Sequence, residues 1–290
     1  MKIMLIGANG QLGADLKWVL APERLVPLTH AEIEVTDPAS TRQAFERHQP
    51  EIVINTAAFH RVDDCEKEAE RAFSVNAVAV RDLALACAHF KATLVHFSTD
   101  YVFRGDKREP YVEGDLPSPL SVYGASKLAG EYLVAANLRR YFLIRTCGLY
   151  GLGGSKAKGG NFVETMLRKA ESGDTLRVVD DQVVTPTPTR EVARKVAELI
   201  RTEYYGLYHA TSQGFCTWYQ FAAKIFELAG LSPDLRRATS NELRTPARRP
   251  SYSVLDNAKL RRLGMDDLKP WEDALLDYLN GRKAAAHTIL

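Results

Sequence analysis

The sequence predicts an α/β fold: a doubly wound parallel sheet with a smaller C-terminal lobe. Three observations predict it. Apolar runs of strand length alternate with longer helical stretches through the first half, a glycine-rich turn follows the very first run, and the texture changes after about residue 150. Continuous apolar strands separated by helices belong to a sheet covered on both faces, and a glycine turn after the first of them marks the Rossmann type. At 290 residues the chain lies near the upper limit for one hydrophobic core, so a large domain carrying a smaller lobe is expected.

The run at 3–6 leads into a helix over 11–20, where Leu12, Leu16, Val19 and Leu20 recur at helical spacing. A strand at 25–28, a helix at 40–48 and an all-β-branched strand at 52–54 follow. A long helix over 69–88, a strand at 93–97, a helix over 122–136 and a strand at 142–145 complete a unit spanning 1–150. Residues 151–160 hold five glycines and two lysines, Lys156 and Lys158, and predict a mobile surface loop. Beyond it come a helix at 161–171, a strand at 175–179, a proline-punctuated stretch at 185–189, a helix at 191–203 and a strand at 206–210. Part of 175–210 is expected to rejoin the main sheet. A helix at 219–228, an irregular arginine-rich stretch to 255 and a last helix at 272–279 finish the lobe, 151–290.

Composition narrows the function classes. The chain is 46% hydrophobic and 26% charged, which supports a packed core and not disorder. Its net charge of +2, from 38 basic and 36 acidic residues, gives no general attraction to nucleic acid or to anionic membrane. The four cysteines have neither metal-ligand nor redox-motif spacing, which reads as reduced thiols in a cytoplasmic protein. The first apolar run is too short to cross a bilayer and does not read as a signal peptide, so a soluble protein with no membrane partner is expected. The seven histidines form no zinc motif, and no metal is expected. A monomer and a homodimer are both compatible.

The glycine turn reads Gly7-Ala8-Asn9-Gly10-Gln11-Leu12-Gly13, between the first strand and the first helix. Amides at a helix N-terminus receive a pyrophosphate, and glycine allows both the tight turn and close phosphate approach. A ligand-free β–α turn is the plain alternative; the position after the first strand favours a dinucleotide. An acid at the end of the second strand would pair with the adenosine ribose, yet here the strand ends in Thr29-His30, with Glu32 and Glu34 beyond. A threonine leaves room for a 2′-phosphate that His30 or Arg24 would help neutralise, so NADPH and NADH are both open, with the balance toward NADPH. Asp37 reads equally as an acceptor for the adenine amino group and as the cap of the helix beginning at Pro38. Asn55-Thr56-Ala57-Ala58-Phe59 places small residues at a strand end, where backbone can pass close to a cofactor.

The chemistry-bearing residues are Ser98-Thr99-Asp100-Tyr101, after the fourth strand, and Tyr123-Gly124-Ala125-Ser126-Lys127, opening a helix. Tyrosine and lysine at i, i+4 share one helical face. A free phenol, with a pKa of about 10, is too weak an acid for proton exchange near neutrality, and a neighbouring ammonium stabilises its conjugate base. A hydroxyl from Thr99 or Ser98 can then hold a carbonyl oxygen. Alone, such a pair more often decorates a surface; the glycine turn and the hydroxyl-bearing strand end give it force.

Together with Leu128-Ala129-Gly130-Glu131, Arg145-Thr146, Asn161-Phe162, Asp180-Asp181-Gln182 and Arg249-Pro250, these motifs resemble the extended short-chain dehydrogenase/reductases, and within them the dTDP-4-dehydrorhamnose reductase family, from Met1 to about Leu279. The resemblance implies hydride transfer from NADPH or NADH to the 4-keto carbon of a nucleotide-linked 6-deoxy sugar, giving dTDP-rhamnose. It implies Tyr123 as proton donor, Lys127 as its partner and ribose clamp, and Thr99 as carbonyl-oxygen ligand. Gly10, Gln11 and Leu12 would lie on the pyrophosphate and Ala57 and Ala58 along the cofactor. Asp100, Tyr101, Asn161 and Arg249 would lie toward the sugar nucleotide. Residues 1–150 would bind the dinucleotide and 151–290 mainly the substrate. Nucleotide-sugar dehydratases carry a glutamate where this chain has Tyr101, and a missing carboxylate argues against dehydration. One departure stands out: family members usually have a tryptophan where this chain has Gly148. The arginines 244, 248 and 249 read as a solvated face or as a source of one diphosphate ligand. Asp15 and Glu272 read as surface acids, or, by the resemblance to some family members, as acids of a metal-bridged dimer contact. Two alternatives remain at this stage: an epimerase or reductase of another nucleotide-sugar, and a regulatory subunit similar to the methionine adenosyltransferase β subunit.

Overall fold

The computed structural model describes residues 1–153, 160–173 and 175–287; Lys156 and Lys158 lie outside them. The first half runs β1 (Lys2–Ile6), α1 (Gln11–Val19), β2 (Arg24–Leu28), α2 (Pro38–His48), β3 (Ile52–Asn55), α3 (Val62–Lys67), α4 (Ala69–Phe73), a π-helical turn (Ser74–Val78), α5 (Ala79–His89), β4 (Thr93–Thr99), a short 3₁₀ turn (Asp100–Val102), α6 (Val122–Asn137) and β5 (Tyr141–Thr146). The second runs β6 (Leu149–Tyr150), α7 (Phe162–Glu171), β7 (Leu176–Val179), β8 (Val183–Val184), β9 (Thr187–Pro188), α8 (Thr189–Leu199), β10 (Gly206–His209), β11 (Cys216–Thr217), α9 (Trp218–Ala229), β12 (Leu235–Ala238), α10 (Ser240–Leu243), α11 (Ala258–Arg262) and α12 (Trp271–His287).

Six strands form one parallel sheet in the order β10-β5-β4-β3-β1-β2. The two-residue strand period assigns alternate side chains to the two faces. Ile3 and Leu5 pack with Ile52, Ile54, Val95 and Phe97 under α1 and α8. Met4 and Ile6 pack with Val53 and Leu94 under α2, α5 and α6. His96 therefore points to the α6 side, because it shares the parity of Leu94, and its register partner is Asn55 on β3. Chain order reverses between β1 and β3, which opens a crevice at their carboxyl ends. A separate aromatic core built on Tyr150, Phe221, Trp271 and Tyr278 supports the lobe above it.

The helix expected over 69–88 is interrupted: Ser74–Val78 forms a π turn. Asn76 causes the difference. Its amide accepts from Phe59 N at 2.9 Å and donates to Phe59 O at 2.9 Å and Ser126 Oγ at 3.0 Å. Helical periodicity cannot register such a bond to another segment. The arginine-rich stretch is also less irregular than expected, since β12 pairs in parallel with β7 and is followed by α10. Both are four residues long, too short to carry a readable period. Among the described residues no helix is long and apolar enough to cross a membrane.

Candidate active site

The glycine turn is held where a dinucleotide phosphate would need it. Gly7 has φ +80°, and a Cβ there would lie 2.4 Å from Thr56 Oγ1. A Cβ on Gly13 would lie 2.3 Å from the Gly7 carbonyl, so this glycine lets α1 sit on the turn. Gly10 caps α1 with no side-chain hydrogen bond, and the first turn of α1 has no acid. Its amides are thus offered to the cleft with the positive end of the helix dipole behind them. Asn9, Gly10, Gln11 and Leu12 line that cleft with Thr56 and Ala58, while Gly7, Gly13 and Ala57 shape the backbone around it. The arrangement fits the pyrophosphate of NAD(P).

The end of β2 differs from the expectation of a neutral, phosphate-ready pocket. Glu32 folds back so that its Oε2 accepts from both the amide, at 2.6 Å, and the hydroxyl of Thr29. These bonds hold the Glu32 carboxyl below its usual range. His30 meanwhile pairs with Glu34 at 3.1 Å. A carboxylate does stand at this strand end, reached through a turn. Asp37 caps α2, accepting from Ala39 N at 2.9 Å.

Thr99, Tyr123 and Lys127 meet in one cleft of about 670 Å³ that continues from the glycine turn. Ser121 caps α6 through Gly124 N, and the first turn of that helix carries Tyr123 to the end of β4. Thr99 Oγ1 donates to Asp100 Oδ1 at 2.9 Å, accepts from Tyr101 N at 3.2 Å and hydrogen-bonds Tyr123. Burial pushes Tyr123 above the ordinary phenol range; the Thr99 bond opposes this, while Asp100 and Cys65 add to it. The sequence-based expectation that Lys127 lowers this phenol is corrected. The Lys127 Nζ, almost fully buried, is directed to His96 Nε2 at 3.2 Å. Burial brings its pKa down to about 8 against the pull of Glu131. Glu131 is itself gripped by Arg145 through two bonds of 2.9 and 2.6 Å.

On the substrate side, Tyr101 lines the cleft, its ring edge-on to Tyr123 at 5.8 Å. Asp100 lines it too, but its oxygens accept from Thr99 and from Cys147 Sγ at 3.1 Å. Asn161 has a structural task. It caps α7 through Glu164 N, and its Nδ2 donates to Gly151 O at 2.9 Å and Tyr278 Oη at 3.1 Å. Arg249 is paired with Asp63 at 2.7 Å and bonds Tyr101, so it braces the cleft wall from behind. Asp15 is engaged by Arg190 at 2.7 Å and by Thr189, which removes it as a free bridging acid. Among the described residues no group of three His, Cys, Asp or Glu could hold a metal ion.

Gly148 has φ +56°, and a Cβ there would lie 3.1 Å from Pro186 Cα, so the local backbone disfavours any larger residue. The aromatic surface comes from elsewhere. Trp218, the first residue of α9, lines the cleft beside Phe162, ring centroids 4.7 Å apart. A reciprocal capping box of Thr217 and Gln220 fixes the start of α9. Sequence reasoning missed Trp218; the Thr-x-x-Gln signature ahead of the helix was the available signal. Tyr150, by contrast, is sealed in the lobe core.

A family model described as the RmlD substrate binding domain matches residues 1–283. The chain belongs to this family. It is 40% identical to the spore coat polysaccharide biosynthesis protein SpsK of Bacillus subtilis, over 98% of this chain and 99% of that protein. It is 39% identical to dTDP-4-dehydrorhamnose reductase of Streptomyces griseus, over 94% of this chain and 91% of that one. The crystal structure of dTDP-4-dehydrorhamnose reductase from Bacillus anthracis in complex with NADP superposes with a TM-score of 0.92 at 37% identity, covering 97% of this chain and all (100%) of that one.

Proposed function

We propose that the protein is an NAD(P)H-dependent oxidoreductase that reduces the 4-keto group of a dTDP-linked 6-deoxy sugar, converting dTDP-4-dehydrorhamnose to dTDP-rhamnose. The convergence of Thr99, Tyr123 and Lys127 in one cleft with the glycine turn carries this reading. When bound, NAD(P)H supplies the hydride that reaches the keto carbon. Gly10, Gln11 and Leu12 would hold its pyrophosphate through backbone amides. Thr99 orients the substrate oxygen, Tyr123 delivers the proton that completes the alcohol, and Lys127, as an ammonium, would clamp the cofactor ribose. Tyr101, Phe162 and Trp218 wall the sugar side, and residues 151–290 supply most of the substrate lobe. The reaction takes place in the cytoplasm, with the chain a monomer or homodimer.

The test is NAD(P)H oxidation against a panel of dTDP-, GDP- and UDP-linked 4-keto-6-deoxy sugars. The dTDP compound is expected to turn over fastest and to yield the rhamnose product. Oxidation with none of them, together with recovery of a stoichiometric enzyme partner from native extract, would instead establish a regulatory subunit.

A further inference from the structure

Behind the catalytic lysine lies a buried polar chain that the reduction mechanism leaves unused. Lys127 Nζ faces His96 Nε2 at 3.2 Å, and His96 Nδ1 faces Asn55 Nδ2 at 3.2 Å. All three residues are at most 2% exposed. The orientation of the Asn55 amide is fixed from its other end, because its Oδ1 accepts from Ala57 N at 3.0 Å. His96 thus stands between two groups that both donate when Lys127 is an ammonium, while a neutral imidazole has only one acceptor nitrogen. An imidazolium is excluded by burial beside a cation, which holds the His96 pKa well down.

We propose that His96 is a positioning residue whose tautomer sets the protonation state of Lys127. With the Asn55 amide as found, Nδ1 must accept, the imidazole proton sits on Nε2, and Lys127 is met by a donor that only its neutral amine can satisfy. When Lys127 is an ammonium, Nε2 must accept and the proton moves to Nδ1. Asn55 then faces a donor with its own NH₂, or turns and withdraws the acceptor from Ala57 N. Passing from the second state to the first releases one proton to solvent: the lysine loses one, and the imidazole keeps one but exchanges its position. The network therefore biases Lys127 toward the neutral form. Other titratable groups around Lys127 are Tyr123 one turn before it, Glu131 one turn after, and Arg145 from β5, which holds Glu131; Asp100 acts on Tyr123 from the end of β4.

This inference rests on the catalytic role of Lys127, but its first test does not. Imidazole ¹⁵N shifts of the protein without substrate are expected to show neutral His96 throughout pH 6–10, changing from Nδ1–H to Nε2–H as Lys127 deprotonates at about 8. A tautomer that stays constant across that range overturns the proposal, whatever the enzyme's substrate. The second test is Asn55→Asp, which keeps an acceptor for Ala57 N and gives Nδ1–H an acceptor of its own. The variant is expected to hold the Nδ1–H form and to move the alkaline limb of kcat/KM up by about one pH unit, a tenfold change in proton affinity. In a His96→Leu background the same substitution should shift the limb far less. An equal shift there would mean that the introduced carboxylate acts as a bare charge, and would refute transmission through His96.

Discussion

In the proposed reduction Tyr123 gives up a proton from a site whose burial makes the phenol a weaker acid than usual. The hydroxyl of Thr99 eases ionisation when it turns its single proton from Asp100 to the phenolate. Removing the phenol removes the proton donor, so Tyr123→Phe is expected to lower kcat at least ~100-fold while cofactor Kd and Tm hold steady. Turnover within a fewfold of wild type would take Tyr123 out of the mechanism. Cofactor preference is expected to turn on another single residue. Glu32 sets a carboxylate on both donors of Thr29 at the end of β2, the strand end at which a dinucleotide's adenosine ribose is read. Glu32→Ala is expected to improve kcat/KM for NADPH relative to NADH by roughly tenfold, the scale of ~1.4 kcal/mol, and steady-state kinetics with the two cofactors measures it. The meeting of Thr99, Tyr123 and Lys127 in one cleft was legible in the sequence because an i, i+4 pair and a strand end fix geometry over short distances. The chain from Lys127 to His96 and Asn55 was not. It depends on β3–β4 register and on which face of the sheet α6 covers, and a histidine within an apolar strand carries no mark of either.

At the scale of elements, the π turn and α6 interlock. Gly130 presses on Asn76 so closely that a Cβ would lie 2.2 Å from the Asn76 carbonyl, and Ser126 joins the Asn76 amide on the same helical face. Asn76 thereby links β3's following loop, the π turn and the helix that carries Tyr123 and Lys127. Asn76→Ala would leave the Phe59 amide without its partner and the Phe59 carbonyl with only the weak Cys65 Sγ donor, at a cost of about 1–3 kcal/mol. The expected result is a clear drop in the urea midpoint together with a lower kcat, because α6 loses its seat. The sequence showed a helix here and missed its interruption, since periodicity reports which face is apolar and says nothing of a side chain that bonds a distant loop. The inner strands β1, β3, β4 and β5 were readable for the opposite reason: each is buried on both faces and carries a run of apolar residues. Trp218 belongs with the harder cases, because it enters the cleft only once α9 is docked on the lobe core.

Across the whole molecule, the lobe is tied to the edge of the sheet at His209. This residue ends β10, is fully buried, and its Nδ1 lies 3.0 Å from Tyr111 O and 3.1 Å from Asp256 O. The two carbonyls come from the segment before α6 and the segment before α11, which also pair through Tyr111 and Leu255. Both are acceptors, so Nδ1 carries the proton of a neutral ring. Burial, with Arg145 nearby, lowers the His209 pKa from 6.5 to about 3. An unfolded chain would protonate this histidine near pH 6.5 while the folded chain does not, so the unfolded state binds more protons below that point. The stabilisation is complete above about pH 6.5 and falls as the medium is acidified toward pH 3, by about 1.4 kcal/mol for each pH unit. His209→Gln keeps an amide donor for the carbonyls and removes the titration. Urea unfolding between pH 7 and 4.5 should show the wild type losing stability more steeply than this variant, by up to about 3 kcal/mol over that span. Parallel curves would show that His209 is protonated in the folded protein as readily as in the unfolded one, and that the clamp between lobe and sheet does not depend on a neutral ring.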